Sequence, residues 1–162
     1  MSHHRQHVIE WLDKASNQLT SGQHAFAEFL LKVERPSGMP DSDWELRLQW
    51  MREVSSSFVK AQRAIVTVMA KIGDDTQPVE ILDEIRRLVN QPNKEGARST
   101  AYHFFWATRP LAYLGGLEPA EPLNLALIRG IEAWDYVDRT IWHINDAIRE
   151  EIYEDPAFGD AQ

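Results

Sequence analysis

The chain has 162 residues, no cysteine, and 25 acidic against 17 basic side chains, for a formal net charge of −8. That length fits one domain with a core that needs no staples, and the missing thiols exclude disulfides, thiolate metal sites and cysteine catalysis. The acidic balance repels phosphate backbones, and with Arg86-Arg87 as the one adjacent basic pair, broad nucleic-acid binding is disfavoured.

Prolines and glycines divide the chain into five helical segments, because a helix interior tolerates neither well. The first, from His4 to Glu34, spaces Val8, Leu12, Ala15, Leu19, Gly22, Phe26, Phe29 and Val33 at alternating steps of four and three. Gly22 falls on this seam, which predicts a close approach by a bulky neighbour. Arg35-Pro36-Ser37-Gly38-Met39-Pro40 ends the segment. The second opens on an expected capping box, Ser42 with Glu45, and carries the seam Val54, Phe58, Ala61, Ile65, Val68 and Ile72 before Gly73-Asp74-Asp75.

A short third segment is expected to cap near Thr76, with Pro78 in its first turn, and holds Val79, Ile81, Leu82, Ile85, Leu88 and Val89. Gln91-Pro92-Asn93 closes it. The fourth runs from about Ala97 to Arg109 and includes Tyr102-His103-Phe104-Phe105-Trp106; Pro110 cuts it. The fifth, Glu121 to about Glu154, places Leu123, Leu127, Gly130, Trp134, Val137, Ile141, Ile144 and Ile148 on its seam. Gly130, like Gly22, lies near the middle of its helix, so the two could face one another or receive a tryptophan.

These patterns predict an all-α single domain over 1–162: an antiparallel helical bundle of three long heptad-patterned helices plus two short ones, with a flexible tail from about 155. The start, Met1-Ser2-His3-His4-Arg5-Gln6-His7, lacks the apolar core of a signal peptide, and no apolar run reaches bilayer length. A cytoplasmic protein without a membrane partner is expected.

Several residue groups bear on chemistry. Arg98-Ser99-Thr100-Ala101-Tyr102-His103 sets an arginine and a histidine at a helix start with four residues between them. It resembles the motif of HEPN-domain ribonucleases, small helical bundles that usually act as dimers. The resemblance implies metal-independent RNA cleavage with Arg98 and His103 positioning and polarising the scissile backbone. It covers six residues, and Ser99 stands where that family commonly has Asn, Asp or His.

His3 and His7 stand at i and i+4, with His4 between them, and could chelate a divalent ion from one helix face, but two imidazoles make half a site. No Glu-x-x-His pair occurs, so di-iron bundle chemistry is excluded. Glu132, Asp135, Arg139, His143, Asp146 and Glu150 line the fifth segment opposite its seam and read as a solvated face; a Mg²⁺ site would need a Glu-x-x-Glu on another helix to partner Glu132-x-x-Asp135, and Glu118 and Glu121 straddle Pro119 in a loop. There is no phosphate loop, nucleophile elbow or nucleotide fingerprint, so no cofactor or resident metal is expected.

Trp11, Trp44 and Trp142 fall off the seams, and tryptophans outside a core pattern are enriched in protein interfaces. The sequence therefore leads to a non-enzymatic interaction or oligomerisation module that binds another protein or itself, as a homo-oligomer, through faces bearing these rings. The HEPN-like ribonuclease is the alternative.

Overall fold

The computed structural model describes residues 2–73, 75–90 and 111–154, with side chains for 5–73, 75–87 and 111–150. Its helices are α1 (Ser2–Lys32), α2 (Asp41–Lys71), α3 (Pro78–Asn90) and α4 (Ala120–Glu154). The fourth predicted segment, its cutoff at Pro110 and the tail from 155 lie outside the described residues. No strand is present among the described residues.

The heptad seam of α1 is the centre of the structure. Val8, Leu12, Ala15, Leu19 and Phe29 are fully buried and Phe26 nearly so, because this helix packs against both α4 and α2. The α2 seam behaves as its spacing predicts, with Val54, Phe58, Ala61 and Ile65 fully buried and Met51 extending it one step towards the N-terminus. From α3, Ile81, Leu82 and Ile85 enter the same core, while Val79 is exposed. Leu111, in a short helical stretch over 111–113, and Leu114 and Leu117, in the turns that follow and lead into α4, close it.

The fifth predicted seam is corrected. Leu123, Gly130, Val137 and Ile144 are buried, but the residues alternating with them in the core are Ala126, Ala133, Thr140 and Ala147. Leu127, Ile141 and Ile148 are only partly buried, and Trp134 is 36% exposed. Both sets satisfy a four-three rhythm, since a core position has one flanking neighbour three residues away and another four away. Hydrophobicity favours the larger set. The small set wins because it lets α1 approach closely.

Gly22 marks that approach. A Cβ on it would stand 2.8 Å from Cε1 of Phe58 and 3.4 Å from Cβ of Arg129. The bulky neighbour is thus a phenylalanine from α2, not a tryptophan, with the side chain of Arg129 from α4 also close.

The expected capping box at Ser42 and Glu45 is also corrected. Pro40 occupies the N-cap with no side-chain cap bond, so α2 already begins at Asp41. Arg35 holds this connection instead: its Nε and Nη2 donate to the Met39 carbonyl at 3.2 and 2.6 Å, and its guanidinium pairs with Asp41. Gly38, at φ 82°, supplies the left-handed residue that the turn requires. Before α3, Thr76 is a turn residue that accepts from the Gly73 N–H at 2.8 Å. The backbone N–H of Gln77 donates to Glu80, which forms the returning half of a capping box one residue beyond the expected cap. Pro78 takes the first helical position.

Polar side chains stitch the helices. The Gln62 amide donates to the Thr20 hydroxyl, and the Gln23 amide donates to Gln62 at 3.0 Å, joining α2 to α1. Gln18 donates to Glu132 at 2.6 Å, joining α1 to α4, and Arg129 holds the same carboxylate at 3.1 Å. At the start of α1, Arg5 donates to the carbonyls of Gly73 and Ile72 just beyond α2.

Candidate functional site

Among the described residues, five large apolar side chains on α4 are exposed: Leu125, Ile128, Ile131, Trp134 and Trp142. Their distribution follows from helix geometry. With Leu123 and Ala126 beginning the core stripe, a second heptad stripe on the outward side runs Ile128, Ile131, Asp135, Asp138, Trp142 and Asn145 at steps of three and four. Ile128 is 49% exposed, Ile131 54% and Trp142 69%, so the outward stripe is apolar at two places separated by acids. Half-buried Leu127, Ile141 and Ile148 flank it and continue its apolar surface into the core.

The acids along this stripe differ. Asp135 pairs with Arg139 at 3.0 Å, and Asp146, one turn beyond Trp142, pairs with Arg149 at 3.8 Å. Asp138, one turn before Trp142, is exposed and has no hydrogen bond or ion pair. Trp142, Asn145, Asp146, Ile148 and Arg149 line a shallow open groove near the end of α4.

The three nominated tryptophans are not brought together. Trp11 is half-buried and meets His143 of α4 edge-on at 5.0 Å; His7 lies 5.8 Å from Trp11 and 5.2 Å from His143. This three-ring cluster joins the start of α1 to the latter part of α4. Trp44 is partly buried against the core in the first turn of α2, which follows the far end of α1, about 30 Å along that helix from Trp11. Trp142 is the one that faces outward.

Arg98 and His103 lie outside the described residues, as do the side chains of His3 and His4. The described member of the histidine group, His7, has Glu10 at 3.9 Å and His143 beside it. No group of three metal-ligating side chains occurs among the described residues. The acidic row on α4 is divided between two environments. Glu132 and His143 contact α1, while Asp135 and Asp146 are exposed. Tyr136 completes the α1 side, with Lys14 5.9 Å and Arg139 5.6 Å from its ring centre.

Ile128 and Ile131 were not singled out in the sequence. Their signal is a second four-three register, masked in the sequence by the larger apolar residues Leu127 and Trp134 of the competing register. No helix among the described residues is long and apolar enough to cross a membrane. No protein-family model, curated protein or solved structure matches this chain.

Proposed function

We propose that this chain is a non-enzymatic helical module that associates with another protein, or with itself as a homo-oligomer, through the outward stripe of α4. The observation that carries this reading is the 69% exposure of Trp142 in register with half-exposed Ile128 and Ile131. A large ring left in water on a helix whose core side is already filled gains most from burial against a second surface. The span from Ile128 to Trp142 is about 21 Å at the helical rise, the length over which a partner helix makes several successive side-chain contacts.

Antiparallel packing of the long helices in a bundle belongs to the same proposal. It is supported by Arg5 reaching the end of α2, and by His7 and Trp11 meeting His143 in the latter part of α4. A cytoplasmic setting is proposed from the absence of cysteine.

The test is sedimentation and affinity capture with Ile131→Asp and Trp142→Ala, using far-UV circular dichroism to verify the fold. Self-association or partner capture should fall at least about tenfold in Ile131→Asp, since a carboxylate in an apolar contact forfeits burial and adds desolvation. Unchanged association in both folded variants would rule out this face.

A further inference from the structure

We infer that the occupant of the α4 stripe is a cationic amphipathic helix of another protein; this rests on the association reading above. Charge selects it. Asp138 is unpaired and exposed, and on the helix surface it lies one turn from Trp134 and one turn from Trp142. Asp146 stands one turn beyond Trp142 on its other side, held only by the 3.8 Å contact with Arg149. The exposed indole is thus bracketed by carboxylates at i−4 and i+4.

A lysine or arginine of a partner helix can lie on the indole face and pair with Asp138 at once, since a cation is attracted by both a ring face and a carboxylate. Ile128 and Ile131, about three and two turns back from Asp138 along α4, supply the apolar anchors for the same helix. The partner therefore carries apolar residues at heptad spacing followed by a basic residue about two to three turns along. A second copy of this chain is the poorer occupant. Each copy carries a net charge of −8, and self-pairing brings acidic faces together. An anionic surface, lipid or nucleic acid, is repelled for the same reason.

The experiment uses the full chain and two labelled synthetic helices of equal length and apolar content, one with lysines flanking its apolar stripe and one with glutamates. Fluorescence anisotropy is read at low and physiological salt. The lysine helix should bind at least about tenfold more tightly than the glutamate helix, with the preference shrinking as salt rises. Asp138→Lys should abolish that preference, while the same charge change at exposed Asp13 of α1 should leave most of it. Ile131→Asp should weaken binding of the lysine helix.

Equal binding of the two helices that still depends on Ile131 would overturn the cationic partner and leave the association face standing. A preference equally sensitive to Asp13 and Asp138 would overturn it as diffuse attraction to an acidic protein. No binding of either helix would overturn it too, and unchanged sedimentation of Ile131→Asp would then remove the association reading as well.

Discussion

At Gly22 the packing leaves little room for a side chain. An added methyl group would meet a ring whose own position is fully buried, 2.8 Å from Cε1 of Phe58, and would meet Arg129 on its other side. In an unconstrained helix, Gly→Ala gains about 1 kcal/mol from backbone entropy. Here overpacking, which costs about 1–3 kcal/mol, outweighs that gain. Gly22→Ala should therefore lower stability by about 1 kcal/mol in urea denaturation, net of those opposing effects. In a Phe58→Leu background, where the ring is absent, the same substitution should become neutral or stabilising. A loss of the same size in both backgrounds would mean that Phe58 is not the obstacle.

At the scale of the element, α4 carries two heptad stripes that face different surroundings. The inward stripe contains Ala126, Gly130, Ala133, Thr140 and Ala147, all buried, and the Thr140 hydroxyl donates to the Tyr136 carbonyl at 2.8 Å, so the helix satisfies its own buried polar group. The outward stripe holds Ile128, Ile131 and Trp142. Enlarging the inward side should separate α1 from α4: Ala133→Leu is expected to cost about 1–3 kcal/mol by thermal or urea denaturation. The matched enlargement outside, Asp138→Leu, should change stability by less than about 0.5 kcal/mol. Equal costs at the two positions would return Trp134 and its companions to the seam. The same division leaves Trp142 in water, whereas Trp11, equally off its seam, is packed against His143.

For the whole molecule, α1 is the member that packs against both other long helices, and one continuous cluster of buried residues draws on every described helix. Leu12→Ala should accordingly cost about 2–5 kcal/mol. It should shift tryptophan fluorescence and far-UV circular dichroism together in a single transition, whereas two separated transitions would divide the chain into independent units. Much of this was readable in advance. The buried seams of α1 and α2, the close approach at Gly22 and the place of Pro78 followed from period, propensity and proline geometry, which are properties of the chain itself. What the sequence determined by itself is therefore helical content and which face of α1 and α2 turns inward, because a heptad of large apolar residues has one way to leave water. Tertiary structure decided the rest. It chose small over large residues for the α4 contact, packed Trp11 against His143 and left Trp142 out, since those outcomes depend on how near a neighbouring helix comes, and no local pattern encodes that distance.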